Sequence, residues 1–368
     1  MKNMLIEKTK LFHKLSFETR WNMRDIMRHK SRTAMSLVGI AGCMMIVVCA
    51  LGMRDTLDSF VDLYYDGATN YSSHIFIAEE ATKEQREALV NKYNGDWSSS
   101  VNVQLDEKAV SLDIYSVTHD KIRFPDKKDN YITIGNDGAY ICMRIAKEFK
   151  LEPGDTFTVS PYGSDNKYTL KVAGIIRSVS ESIVITPEYA QSINLPYSID
   201  SVYTSVERSA IPTDNTIKSV QSKQMIMDSF DSFMEIMNLM IYILILAAAV
   251  LGIVVLYNLG VMSYTERYRE MATLKVVGFK DKKIGNLLIG QNLWITVIGV
   301  ILGIPGGIGV LQYFLTVLGS EYEMKIHIGP LTYIISIVLT FGVSLLVSLL
   351  VSRKNKKIDM VEALKGAE

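Results

Sequence analysis

Residues 264–285 read Y-T-E-R-Y-R-E-M-A-T-L-K-V-V-G-F-K-D-K-K-I-G, a charged, helix-prone stretch set between two long uncharged runs. A short basic loop joining two membrane spans offers a handle to a partner in the cytoplasm, because Lys and Arg concentrate in loops on that side. Working outward, residues 34–53, 236–265, 284–320 and 328–352 contain no Asp, Glu, Lys or Arg. Each is long enough to cross a hydrocarbon core of ~30 Å, which takes about 20 helical residues. Four spans are the simplest reading. The 37-residue run from Ile284 exceeds one crossing, so its apolar block is expected to end near Gly309, leaving Val310 to Ser320 at or beyond the interface.

With 39 basic and 39 acidic side chains the net charge says nothing about partners, but its distribution sets an orientation. Nine Lys and Arg precede the first run, six lie in 266–283 and five in 353–368, whereas the connection between the third and fourth runs holds only Lys325. Both termini and the 264–285 loop are therefore expected in the cytoplasm and the long insertion outside. The plan is an amphipathic interfacial segment at 1–33, a first span at 34–53, an extracytoplasmic α+β domain with helical stalks at 54–235, and a second span at 236–262. A cytoplasmic loop at 263–285, a third span at 286–309, an extracytoplasmic loop at 310–329, a fourth span at 330–352 and a cytoplasmic tail at 353–368 complete it.

Three cysteines, Cys43, Cys49 and Cys142, make no disulfide framework, because two fall in the first span. Ile40-Ala41-Gly42-Cys43 has the shape of a lipoprotein cleavage site, but the preceding basic segment is too long for a signal peptide and the apolar run continues past the cysteine, so an uncleaved span is expected. In residues 11–30, Leu11, Phe12, Leu15, Met23 and Ile26 share one helical face while Arg20, Arg24 and Arg28 form a ridge elsewhere. That pattern suits a positive-inside anchor or a cuff helix lying along the membrane.

Beyond the first span, Leu57, Phe60, Val61 and Tyr64 continue a helical stripe, mirrored before the second span by Val220, Met227, Phe230, Met234 and Met237. The two stripes are expected either to pair as a stalk or to pack beneath the outer domain. Between them His74–Ala78, Ser111–Thr118 and Tyr168–Ile176 read as strands, Lys83–Tyr93 and 140–149 as helices, and Pro153-Gly154-Asp155 and Asp165-Asn166 as turns. In the third span Gly299, Gly303 and Gly307 recur every fourth residue, a ridge that admits close helix approach for packing or for a sliding or dimer interface.

No GxxxxGK[ST] loop or HExxH spacing occurs, and no charge lies in the apolar core of a span to carry an ion or proton relay. An enzyme is not expected, nor a cofactor, a metal or a nucleic-acid partner; any energy source lies in another polypeptide.

The segment Glu266-Arg267-Tyr268-Arg269-Glu270-Met271-Ala272-Thr273-Leu274-Lys275-Val276-Val277-Gly278 resembles the cytoplasmic-loop signature of FtsX-like/MacB-type ABC transporter permeases, E-R-x-x-E-x-A-x-L-K-x-x-G, through Glu266, Arg267, Glu270, Ala272, Leu274, Lys275 and Gly278. Lys357–Lys365 is similar to that family's tail after the last span, and Trp21–Thr33 to the segment before the first. The Gly138–Ile176 stretch resembles the extracellular segment of its Gram-positive members. The resemblance implies a permease subunit in a bacterial plasma membrane, in which the 264–285 loop docks as a coupling helix on a cytoplasmic ABC ATP-binding subunit. ATP hydrolysis on that separate subunit would then drive the spans, the stalks and the outer domain to export or extrude a substrate. It also implies a homodimer or pairing with a second permease, and admits an FtsX-like relay that regulates an extracytoplasmic partner such as a cell-wall hydrolase. Read from residues alone, acidic and basic faces flank an apolar edge of Met271, Leu274 and Val277, which suits either docking or a solvated loop helix. An ATPase-independent receptor is the third reading.

Overall fold

The computed structural model describes residues 17–164, 166–266, 268–279, 281–318 and 324–353. These fall into two compact units, a helical one drawn from 1–55, 237–313 and 326–368 and a sheet unit drawn from 56–236 and 314–325.

The helical unit holds α1 (Phe17–Arg28) and most of α2 (Lys30–Val61). It also holds the membrane-length parts of α6 (Lys223–Glu266), α8 (Asp281–Leu318) and α9 (Pro330–Arg353), with the short α7 (Tyr268–Val276). Among the described residues four helices are long and apolar enough to cross a membrane, α2, α6, α8 and α9. The sheet-rich insertion lies between the first and the second of them.

The helices overrun the uncharged runs that announced them. Loss of charge marks where lipid begins, whereas a helix ends only where its backbone bonding is interrupted. Thus α8 continues past Gly309 through Val310 to Leu318, with Leu311 and Leu315 buried. Of the amphipathic segment, Leu11, Phe12 and Leu15 lie outside the described residues. Ile26 packs on the cluster of Ile40, Leu256, Ile295, Val347 and Val351, so α1 lies against the bundle.

In the sheet unit, β1 (Ser73–Ile77), β2 (Asp96–Leu105), β3 (Lys108–Tyr115), β6 (Ala139–Cys142), β7 (Thr156–Pro161), β8 (Tyr168–Ile176), β9 (Ser182–Ile185), β10 (Ser201–Thr204) and β11 (Ile217–Ser222) form one sheet in the order β11-β1-β10-β2-β3-β9-β6-β8-β7. A separate hairpin comprises β4 (Phe124–Pro125) and β5 (Tyr131–Ile132). Strand β2 works twice on one edge: Asp96–Ser98 pair with β10, and Val103–Leu105 pair with β7. Its other edge carries β3 along nearly its whole length. The run β2-β3-β9-β6-β8-β7 therefore closes on itself as a six-stranded barrel.

Period-two alternation sends Val110, Leu112 and Ile114 of β3 inward with Val103, Leu105, Phe157, Val159, Leu170, Val172, Ile183 and Ile185. The short helices α4 (Met143–Glu148) and α5 (Pro187–Ser192) contribute Ile145 and Ala190 to the same core. Beyond β2, the strands β10, β1 and β11 form a second lobe covered by α3 (Lys83–Tyr93), where Ile75, Ile77, Leu89, Tyr93 and Val202 are buried together. Thr82 and Gln85 close a capping box at the start of α3, and Asn94 ends it in the left-handed region.

Two expectations are corrected here. Residues 140–149 are not one helix: Ala139–Cys142 is a strand held between β8 and β9, and only Met143–Glu148 is helical, so Ile141 is a barrel residue. Val220 belongs to β11, paired with Ile75, and not to the helical stripe. In both cases pairing partners far away in sequence override a local helical pattern. Of the Asp165-Asn166 turn, Asp165 lies outside the described residues, while Gly163 supplies a positive φ of 76° there.

Candidate functional site

The conspicuous loop contains a short helix that ends in a turn at Val277-Gly278. Helix α6 runs to Glu266, α7 follows from Tyr268 to Val276, and α8 starts at Asp281. Gly278 takes φ +97°, a conformation that costs a residue with a Cβ but not glycine, and its N–H donates to the Lys275 carbonyl at 3.0 Å. Arg267 lies outside the described residues, as do the side chains of Glu266, Glu270 and Leu274. Met271 and Ala272 are buried, Lys275 is half-buried, and Val276 and Val277 are exposed by 59% and 71%. At ~100° per residue Val276 sits about 140° around the axis from Met271. Of the edge expected from spacing, Met271 is buried and Val277 exposed, with the Leu274 side chain outside the described residues; among the described side chains Val276 and Val277 offer exposed apolar surface.

The glycine ridge of α8 meets α2. A Cβ on Gly299 would lie 2.6 Å from Ile40 Cγ2, on Gly303 2.5 Å from Met44 Cβ, and on Gly307 2.8 Å from Val48 Cβ. The two backbones approach so closely that only hydrogen fits, the geometry that lets van der Waals packing hold helices where there is no hydrophobic drive between them.

A second ridge escaped sequence analysis. Thr332, Ser336, Thr340, Ser344 and Ser348 recur every fourth residue along α9, and all five are buried. Ser344 Oγ and Thr296 Oγ1 of α8 share a hydrogen bond of 2.5 Å, Asn292 Nδ2 donates to Ser348 Oγ at 3.1 Å, and Thr340 Oγ1 lies 3.2 Å from Met44 Sδ. The spacing was legible, but without charge in the run there was nothing to separate a polar seam from a plain apolar span.

At the ends of the spans, residues 62–67 form a π-helical turn. One extra residue per turn shifts the stripe that Leu57 and Phe60 begin. Tyr65 reaches Phe230 of α6, with ring centroids 4.7 Å apart. Tyr64 is buried beside Phe60 and under the Arg177 guanidinium, 5.6 Å from its ring. Met227 and Met234 are half-buried on α6. Lys223, at the start of α6, donates to the Thr69 carbonyl at 3.0 Å and pairs with Asp66 at 3.7 Å.

A cleft of about 960 Å³ opens in the sheet unit between α3 and the 195–199 segment, floored by Trp97 stacked on Tyr197. Its buried Arg86 donates to the carbonyls of Ala78, Glu79, Ala81 and Ile199. The guanidinium thus ties the two walls together, and its donors are spent on the protein rather than on a ligand.

Residues 242–360 match the family described as FtsX-like permease C-terminal. Among solved structures, the periplasmic region of MacB from Actinobacillus actinomycetemcomitans is similar over 45% of this chain and 95% of its own, at 11% identity and a TM-score of 0.30. No curated protein matches the sequence. Permeases of the FtsX-like family are non-enzymatic membrane components of ABC transporters. The matched region runs from α6 through α9, so that part of the chain is similar to the C-terminal domain of FtsX-like permeases, and among the described residues it belongs with four apolar helices and a sheet-rich insertion between the first and the second.

Proposed function

We propose that the chain is the membrane subunit of an ABC system in which α7 docks on a separate cytoplasmic ATP-binding subunit. Nucleotide-driven closure of that subunit moves α6 and α8, and α2 and α6, each a continuous helix that enters the sheet unit, deliver the motion to it for export or extrusion of a substrate. The observation that carries this reading is the pair Val276-Val277, exposed beside a glycine turn on a helix that bears the family's loop signature. Exposed apolar residues at such a place offer a partner buried area worth ~25 cal/mol per Å². Both termini and α7 are assigned to the cytoplasm and the sheet unit to the outside by the bias of basic residues. The outward apolar face of α6, with Ile236, Leu239, Tyr242, Ile243 and Leu246 exposed, is assigned to lipid and to pairing with a second permease or a second copy.

Co-purification with an ABC ATP-binding subunit from detergent tests this. The wild type should retain the subunit and stimulate ATP hydrolysis, whereas Val276→Asp/Val277→Asp and Glu270→Arg/Leu274→Asp should lose it while keeping wild-type melting. Retention by both variants would refute docking through α7. The relay reading shares this machinery and predicts that an extracytoplasmic hydrolase, rather than a transported solute, responds to nucleotide.

A further inference from the structure

Three segments far apart in sequence meet at one carboxylate in the sheet unit. Asp129 lies in the β4–β5 turn at φ +67°, where Asp126 Oδ1 accepts the N–H groups of Lys128 and Asn130 at 2.7 and 2.9 Å. Arg177, just past β8 and only 5% exposed, donates from Nη1 to Asp129 Oδ1. Lys325, from the segment between α8 and α9, donates from Nζ to Asp129 Oδ2 at 3.1 Å. Burial pushes the Asp129 carboxyl up, but the hydrogen bonds from Arg177 and Lys325 outweigh it and hold the group below the usual carboxylate range.

The hairpin is fastened on its other side as well. Arg177 N–H donates to the Pro125 carbonyl at 2.8 Å, its guanidinium covers Tyr64 of the π-helical turn, and Tyr131 OH donates to the Leu63 carbonyl at 3.0 Å. A lone exposed Lys–Asp pair contributes little. Here the same carboxylate also serves a buried guanidinium, which is costly to leave unpaired. The two cations are therefore coupled through one anion.

We infer that Asp129 is a positioning residue, a charge hub that clips the α8–α9 connection through Lys325 to the π-helical turn ending α2 through Arg177. Displacement at one segment is then felt at the other through the hairpin. The direction of that work, from the spans outward, rests on the proposed coupling to an ATPase; the hub itself does not.

The test uses the full chain in lipid nanodiscs without nucleotide or partner, so failure of ATPase docking leaves its outcome intact. Two rates are read: acylation of the Lys325 amine, and hydrogen exchange of the 126–130 amides. Asp129→Asn should speed Lys325 acylation about 2- to 5-fold, in line with release of an exposed ion pair. Lys218, paired with Glu79 elsewhere in the unit, should keep its rate. Lys325→Gln should speed exchange at 126–130 about twofold, and the double variant should match Asp129→Asn because the shared carboxylate is already gone. Asp129→Glu should restore Lys325 acylation to near wild type. If Asp129→Asn loosens the barrel core as well, Lys325→Gln decides, since it changes only an exposed amine. An unchanged Lys325 rate in an intact Asp129→Asn variant, additive effects in the double variant, or no effect of Lys325→Gln on the hairpin overturns the hub.

Discussion

Replacing Gly303 by alanine adds one methyl group where α8 meets α2. Its Cβ would sit 2.5 Å from Met44 Cβ, 2.8 Å from Met44 Cγ and 3.0 Å from the Ala41 carbonyl oxygen. Carbon atoms are at their optimum at about 3.5–4.0 Å, so the helices must part by roughly 1 Å. A gap of that size forfeits about a quarter to a half of each contact along the interface and admits nothing to replace it. The neighbouring sites share the loss, because Gly299 and Gly307 touch the same helix. Overpacking of this kind costs about 1–3 kcal/mol, offset by the ~1 kcal/mol that alanine gains over glycine in a helix. Gly309, on the same helix with nothing among the described residues within 4 Å of an added Cβ, gains that propensity without the clash. Subtracting one variant from the other cancels the propensity and leaves the packing cost, about 1–3 kcal/mol. Thermal unfolding of the wild type, Gly303→Ala and Gly309→Ala in one detergent measures the difference. Melting at the same temperature for both variants would show that α2 and α8 do not touch along this ridge.

Other outcomes follow from named side chains. Burial lowers the His74 pKa to about 4, and its buried Nε2 has no hydrogen-bond partner among the described residues, so the folded sheet unit keeps the ring neutral. The unfolded chain takes up a proton near pH 6.5, so stability is full above that pH, falls as pH drops toward 4, and totals a loss of ~3 kcal/mol at ~1.36 kcal/mol per pH unit; urea melts from pH 7.5 to 4 should show the slope, and His74→Phe should remove it. Arg86→Met strips four carbonyls of their charged donor, which at ~1.5–3 kcal/mol for a single such bond should destabilise the α3 lobe by at least ~2 kcal/mol, read as faster hydrogen exchange in α3 with the barrel strands unchanged. Between α8 and α9, Thr296→Val and Ser344→Ala should each cost about 0.6 kcal/mol, and the double variant should cost no more than either alone, since each removes the same 2.5 Å bond.

How much of this could be read beforehand differs from element to element. The spans were legible because lipid imposes a local rule: about 20 residues without charge is a property of a continuous stretch. Gly299, Gly303 and Gly307 were legible as a ridge for the same reason, but the sequence left open whether packing, sliding or dimerisation used it, and the contact with Ile40, Met44 and Val48 is a fact of three dimensions. The 264–285 stretch announced a helix; that Met271 turns inward while Val276 and Val277 face out depends on what surrounds them. That Tyr65 meets Phe230 and Tyr64 lies under Arg177 involves a π-helical turn and partners far away in sequence, which no local pattern of apolar residues reports.

By itself, then, the sequence determined a four-span membrane chain with a mixed α and β insertion after the first span and a basic helical loop after the second. Each of these is encoded in contiguous residues whose solvent, lipid or water, is decided by their own composition. Only the tertiary structure decided that β2 closes a barrel by pairing with β7, that Ala139–Cys142 is a strand, that a hydroxyl ladder joins α9 to α8, and that Lys325 and Arg177 share Asp129. These depend on partners up to 196 residues apart. A hydrogen bond or an ion pair is set by distance in space, and distance in space is fixed only when the whole chain has folded.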